Sequence, residues 1–311
     1  MSESLRRRVR LAGLGLTAAV TLALAANVAP AVATTGDTAT NLPPVLSMEL
    51  TNTGFEVPGP NPRPAGLVTF RASTADTSGH LVSLFRLREG VSLSTALQEF
   101  TDSVSADPAV KLPALRGLYR DVVFLGGLKV RPAAPVQYTV SLSPGTHYMT
   151  EMPIRFVPGR PPFILRQLEV TAPAAAARLP RINATVLMMD HHGRKRLVAP
   201  SRVDAKANVL VRNMASQPHE LILNTVVPGT TNEDLRRFFG PRQPGDEPPN
   251  PLLPGGDMGG LLALSPGQSV ILHLDLPPAD YAMLSFLPDP QTGQNSVRDG
   301  MAKVVRLCER N

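Results

Sequence analysis

His80 opens the stretch HLVSLFRLREGVSLSTALQEF, which ends at Phe100, and His219 opens HELILNTVVPGTTNEDLRRFF, which ends at Phe239. Aligned without a gap, His80 meets His219, Leu84 meets Leu223, Gly90 meets Gly229 and Phe100 meets Phe239. The flanks repeat in the same order. An alternating run precedes each histidine, at Leu67–Arg71 and Val209–Asn213, and a double glycine follows, at Gly126-Gly127 and Gly259-Gly260. A second alternating run then ends in a tyrosine, over Val136–Tyr148 and Ser269–Tyr281. Such ordered self-similarity predicts one fold present twice, over residues 44–171 and 183–311. The Ala- and Pro-rich segment 172–182 reads as the linker between them.

Within each unit the dominant period is two. QYTVSLS and SVILHLDL alternate apolar and polar residues, which places alternate side chains on one sheet face. One short helix per unit is predicted after the repeated glycine. Ser92 and Ser94 offer caps before Ala96–Phe100. Thr230 with Glu233 fits a capping box that sets Leu235 and Phe239 on one face. Many short strands with one helix per unit predict an all-β protein of two tandem β-sandwiches. Segment 240–256, dense in Pro and Gly, reads as a long surface loop.

Composition narrows the function classes. The chain has 311 residues, with 43% hydrophobic and 18% charged, enough to bury a core. Its 32 prolines argue against a helical bundle, and a single cysteine excludes an internal disulfide framework. Residues 1–33 read as a secretory signal: Arg6, Arg7, Arg8 and Arg10, then an uncharged apolar run Leu11–Ala26, then Ala31-Val32-Ala33 as an A-x-A cleavage site. The apolar run is short for a membrane span. Arg7-Arg8 leaves both the general and the twin-arginine export routes open. Residues 34–43 read as a flexible leader. The signal carries four Arg and one Glu, so the chain from Thr34 onward has net charge +3 rather than +6. That excess is too small for a nucleic-acid footprint. No later stretch is long and apolar enough to span a bilayer, so the expected place is extracytoplasmic or secreted, in a bacterial envelope context.

The second unit resembles a bacterial cupredoxin-like domain. The residues that carry the resemblance are Val209–Asn213, Pro218-His219-Glu220-Leu221, Val227-Pro228-Gly229-Thr230, Leu264-Ser265-Pro266-Gly267, Leu276, Tyr281 and Gly300-Met301 ahead of a last strand. The first unit carries the likeness through His80 and Tyr148. The resemblance implies Greek-key β-sandwiches and, in many members, one copper ion held by two His, a Cys and a weak axial Met. His219 and Met301 stand at the family's first His and Met positions. Ser285 stands where the Cys belongs and Ser296 where the second His belongs. In the first unit His80 remains, and Met152 occupies the position four residues past Tyr148. Cys308 lies beyond Met301, where the family has no ligand. The resemblance therefore implies the fold with the copper ligands largely missing, and His80 and His219 as structural residues.

Other constellations read as background. Asp190-His191-His192 resembles the DHH signature of some metal-dependent phosphoesterases. It stands without their accompanying aspartate motifs and before a hairpin turn at Gly193-Arg194-Lys195. Adjacent histidines on a strand would point to opposite faces. Met188-Met189, and Met149 with Met152, read as core filling before Cu(I) capture. Gly255–Gly260 has no Lys-Ser/Thr ending and reads as a flexible loop rather than an anion cradle. His147 and His273 have no Ser or Asp partner at a recognisable spacing. G-x-S-x-G, H-E-x-x-H and S-x-x-K are all absent after residue 33. Six histidines without an H-x-H pair exclude a trinuclear copper oxidase. The expected function is a non-enzymatic binding or interaction module with an unidentified envelope or extracellular partner and no cofactor. A copper-binding or electron-transfer protein with altered ligands is the alternative, and an unrecognised hydrolase ranks third.

Overall fold

The computed structural model describes residues 41–309 apart from 133–134, 155–162, 173–176, 243–244 and 246. The expected signal segment 1–33 and the leader up to residue 40 lie outside the described residues. The chain runs β1 Val45–Leu50, β2 Arg63–Pro64, β3 Gly66–Thr74, β4 His80–Leu87, α1 Leu93–Ser103, α2 Pro108–Asp121, β5 Val122–Val130, β6 Val136–Leu142, β7 Gly145–Pro153 and β8 Ile164–Thr171. It continues through β9 Ala184–His191, β10 Arg194–Val198, β11 Arg202–Asp204, β12 Lys206–Asn213, β13 His219–Val226, α3 Asn232–Phe239, β14 Leu252–Leu264, β15 Ser269–Asp275 and β16 Asp280–Leu284. A 3-10 turn, Ser296–Asp299, precedes β17 Ala302–Cys308. Among the described residues no helix is long and apolar enough to cross a membrane.

The strands form an all-β sandwich of two sheets. One is seven-stranded, in the order β1-β3-β6-β15-β12-β9-β10. The other is ten-stranded, in the order β11-β17-β16-β13-β14-β5-β4-β7-β8-β2. Alternation sorts the side chains between faces. Along β12, Ala207, Val209, Val211 and Asn213 are buried while the residues between them are more exposed. Leu84, Val123 and Leu125 face the core between the sheets. Their neighbours Phe85 and Phe124 face outward, where α1 and α2 cover them through Ala96 and Leu118. On the same outer face α3 seats Leu235 against Val226, Ala282 and Leu284.

The two halves expected from the sequence share both sheets. In the ten-stranded sheet β5 pairs antiparallel with β14, setting Leu128 opposite Leu261. In the seven-stranded sheet β6 pairs antiparallel with β15, setting Tyr138 opposite Leu272. One core then runs through both halves, from Met48 and Phe70 to Val305 and Leu307. Ion pairs reinforce this seam, with Lys129 Nζ 2.7 Å and Arg131 Nη2 2.5 Å from Asp257 Oδ2.

Several local expectations need revision. The first half holds two helices where one was expected. Pro113 inside α2 and Gly117 hide that helix from a propensity reading. Gly117 lets α1 pack closely: a Cβ there would lie 2.0 Å from Glu99 Oε1 and would force that side chain to move. The capping box of α3 is Thr231 with Asp234, one residue beyond the expected pair; Thr230 bonds back to the Val227 carbonyl instead. Gly255–Gly260 lies within β14 rather than in a loop, and its Asp257 is the seam carboxylate. Each expected alternating run ending in tyrosine is two strands, β6–β7 and β15–β16.

The double glycines answer a backbone constraint. Gly127 has φ +153°, and a Cβ on it would lie 2.1 Å from the Val82 carbonyl oxygen. Gly260 has φ +140°, and a Cβ there would lie 2.3 Å from the Leu221 carbonyl oxygen. Both sit where the ladder slips, near Ser83 on β4 and Ile222 on β13. Gly229 has φ +84° but open space around it. Chemical denaturation should therefore show Gly127→Ala and Gly260→Ala each losing roughly 3 kcal/mol or more. Gly229→Ala should lose only about 1 kcal/mol, the cost of the left-handed backbone alone. Equal losses at all three positions would contradict the close-approach account.

Candidate functional site

The expected ligand positions of the second half do gather at one end of the sandwich. His219 begins β13, Ser285 follows β16, Ser296 begins the 3-10 turn and Met301 immediately precedes β17. All four side chains are fully buried. His219 Nδ1 lies 3.2 Å from Ser285 Oγ, which also accepts the Glu220 N–H at 3.2 Å. Backbone bonds tie the rest together: Ser285 N–H donates to the Met301 carbonyl at 3.0 Å, and Met301 N–H donates to the Ser296 carbonyl at 3.1 Å. The Ser296 hydroxyl donates to the Leu287 carbonyl at 2.7 Å and accepts from Gln217 Nε2 at 3.1 Å. Asn213 braces the same loop by donating to the carbonyls of Gln217 and Leu264.

Ser285 Oγ accepts the Glu220 N–H and still has a second lone pair and its own proton, so it can serve His219 Nδ1 in either neutral tautomer. Nε2 of the same ring is buried without a hydrogen-bond partner. Burial, aided by the Lys195 cation, pushes the His219 pKa down to about 4, against the opposing pull of Asp190 and Asp289. A buried Ser–His contact without an acid on the far nitrogen, closed to solvent, has neither the access nor the orienting group of a hydrolytic triad.

The donor set does not fit a mononuclear copper ion. Copper of this type takes a thiolate and two imidazoles, with a thioether as weak fourth ligand. The four positions offer one imidazole, one thioether and two neutral hydroxyls, and both hydroxyls are engaged in hydrogen bonds with protein groups. Among the described residues no group of three or more His, Cys, Asp or Glu side chains could hold a metal ion.

The first half places its histidine differently. His80 begins β4, fully buried, with Nδ1 2.6 Å from Glu151 Oε1 and Nε2 3.2 Å from Asp76 Oδ2. Met152 is the β7 residue opposite Leu81, next to Glu151 and therefore on the other face of the strand. Sequence reading missed Asp76 and Glu151. The signal for Asp76 was present in Asp76-Thr77-Ser78-Gly79-His80, where Asp76 Oδ1 accepts the Ser78 N–H as an Asx turn does. Glu151 reaches His80 only through the pairing of β4 with β7, which leaves no local pattern.

The remaining candidates are structural in their contacts. His191 ends β9, while His192 (φ +50°) and Gly193 (φ +73°) form a two-residue hairpin turn. His192 is thus in the turn rather than on the strand, and the two rings pack edge to face 4.1 Å apart instead of facing opposite ways. Asp190 accepts the Ser216 N–H. His147 bonds the Gly145 carbonyl, and His273 sits between Thr139 Oγ1 and Asn208 Oδ1, 2.7 Å from each. Met149 and Met188 fill the core, and Cys308 ends β17 as a free thiol.

No protein-family model matches the chain, and no curated protein is found similar to it. Among solved structures, it is similar to a copper-containing nitrite reductase from Thermus scotoductus SA-01, at 10% identity and TM-score 0.24, over 85% of this chain and 61% of that one. It is likewise similar to the copper nitrite reductase from Nitrosomonas europaea, at 10% identity and TM-score 0.24, over 85% of this chain and 93% of that one. Auracyanin from Roseiflexus castenholzii matches at 16% identity and TM-score 0.22, over 41% of this chain and 99% of its own. The chain thus spans about three fifths of the length of the Thermus protein.

Next to His219, burial pushes the Glu220 carboxyl up to about 7, although it accepts the Phe286 N–H and feels Lys129. The two groups oppose each other in pH. For His219 the folded state binds fewer protons than the unfolded one, so its contribution to stability is lost as pH falls from about 6.5 to about 4. For Glu220 the folded state keeps a proton the unfolded chain has released, so its contribution is lost as pH rises from about 4.5 to about 7. Each amounts to roughly 3 kcal/mol at most. Relative to wild type, Glu220→Gln should lose stability as pH falls from 7 to 4.5, and His219→Gln should gain it from 6.5 to 4. Urea unfolding across this range checks both, and differences from wild type that do not change with pH would contradict the assignment.

Proposed function

We propose that the chain is an exported, non-enzymatic binding or interaction protein, built as a duplicated cupredoxin-like sandwich whose copper position is filled by hydrogen bonds. The matched element order supports the duplication. Each half has a strand beginning with a buried histidine, helix after it, and then a glycine-bulged strand at the seam. One observation carries the functional reading: Ser285 Oγ bonds the imidazole nitrogen of His219, occupying the atom a copper ion would need. The network through Ser296, Gln217 and Asn213 favours the same reading, because it stabilises the loop without a metal. Export rests on the arginine-rich start, the apolar run and the A-x-A site, and N-terminal sequencing of secreted material should begin at Thr34. Intact Met1 on most of the mature protein would remove that part of the proposal.

The metal test uses the whole chain and one double variant. Titrated with Cu(II), the parent should stay colourless and hold no stoichiometric copper. Ser285→Cys combined with Ser296→His supplies a thiolate and a second imidazole beside His219 and Met301, and should bind Cu(II) with a strong thiolate-to-copper absorption band. Tight, coloured copper in the parent would favour a copper-binding or electron-transfer protein with altered ligands. No copper in the folded double variant would mean that the four positions do not form one ligand set.

A further inference from the structure

The hairpin of β9 and β10, the 3-10 turn, the start of β17 and helix α3 enclose a groove of about 1060 Å³ at the end of the sandwich that holds His219. Six cationic side chains line it: Arg194, Lys195, Arg196, Arg236, Arg298 and Lys303. Three carboxylates stand among them: Asp190, Asp289 and Asp299. Internal pairing accounts for part of this charge. Lys195 Nζ lies 2.5 Å from Asp289 and 3.6 Å from Asp299, and Arg236 pairs with Glu233 on its own helix. Arg194, Arg196, Arg298 and Lys303 have no carboxylate within ion-pair distance among the described residues. Arg194 and Arg196 are two residues apart on β10 and share one side of an edge strand. The lining carries a net charge of +3, as large as that of the whole chain after residue 33.

We propose that this groove docks an acidic segment of a partner protein, with carboxylates set against Arg194, Arg196, Arg298 and Lys303. The proposal rests on the interaction reading of the chain and names the chemistry of the partner. Three features favour a peptide over other anions. The groove is concave, whereas a lipid surface is flat. Its lining includes no aromatic side chain on which nucleic-acid bases could stack. Carboxylates interleaved with the cations suit a peptide, which can pair its acids with the cations and offer backbone N–H groups to Asp190 and Asp299. The planar guanidinium of arginine suits paired contacts to discrete carboxylates. Lys195, held by Asp289 and Asp299, ties β10 to the loop before β17 and keeps the groove walls in place.

Fluorescently labelled poly-L-glutamate is the probe, titrated by anisotropy into the chain beginning at Thr34. Binding should be measurable at low salt and weaken as salt rises. Arg196→Glu with Arg298→Glu should weaken it by at least about tenfold. The charge-matched pair Arg178→Glu with Arg181→Glu, on exposed residues outside the groove, should leave it within about twofold. Absence of poly-L-glutamate binding would overturn the proposal. So would equal losses in both variants, which would reduce the effect to net charge. Tighter binding to duplex DNA, or to phosphatidylglycerol vesicles, abolished by the groove variant, would assign the surface to nucleic acid or membrane instead. Coloured copper uptake would sink the metal-free reading of function and leave the groove result standing, so the two failures are distinguishable.

Discussion

The pairing of β5 with β14 is the contact on which the rest of the structure depends. Leu128 and Leu261 face each other across it and both are fully buried. Removing either strand would open a sheet edge in the middle of the molecule and expose the apolar residues that now form one core. The seam can be this tight only because glycine stands at Gly127 and Gly260, where any side chain would collide with a neighbouring carbonyl. Asp257 adds electrostatic closure by facing both Lys129 and Arg131 across the same junction. Such an arrangement ties the fate of each half to the other, even though each half has its own run of strands and its own helical cover.

That shared frame sets where the loops around His219 lie. In a sandwich, the strand ends bring β13, β16 and the approach to β17 together whatever residues they carry. Convergence alone leaves buried polar atoms to be satisfied, and unsatisfied ones cost about 1–3 kcal/mol each. Ser285 and Ser296 meet this demand with short, local bonds to His219, Glu220, Leu287 and Gln217. His80 meets it with Glu151 and Asp76. The two halves thus answer the same burial problem with different chemistry, a hydroxyl in one and carboxylates in the other. The far ring nitrogen, Nε2, is buried without a hydrogen-bond partner in both histidines, although in His80 it lies 3.2 Å from the Asp76 carboxylate.

Residue patterns in the sequence are strongest where the physics is local. Period-two runs such as Lys206–Asn213 and Ser269–Asp275 are strands because one face must be apolar. Ser92 marks a helix start because its hydroxyl can accept the Thr95 N–H. The repeated histidines and double glycines point to matched positions, and Ser285 lies within hydrogen-bond distance of His219. Local patterns fail where distant segments decide. Helix α2 forms despite Pro113 and Gly117 because α1 and the outer face of β5 hold it. Gly255–Gly260 reads as a loop, yet becomes strand because β13 and β5 supply partners on both sides. The sharing of both sheets has no sequence signature, since β6 and β15 pair across more than a hundred residues.

Charge shows the same division between local and assembled features. Along the sequence, Arg194-Lys195-Arg196 is an unremarkable basic run on a hairpin, and Arg298 and Lys303 lie about a hundred residues away. Folding sets them around one concavity, beside carboxylates that already neutralise Lys195. Like charges gathered in this way repel one another and raise the energy of the folded state by a modest, salt-dependent amount. A surface with only a structural role could relieve that repulsion by exchanging any of four cations for a neutral residue, since none of the four holds an ion pair among the described residues. On the docking reading proposed above, their concentration around one concavity sets the binding chemistry of this molecule on its surface, beside the buried, hydrogen-bonded histidine.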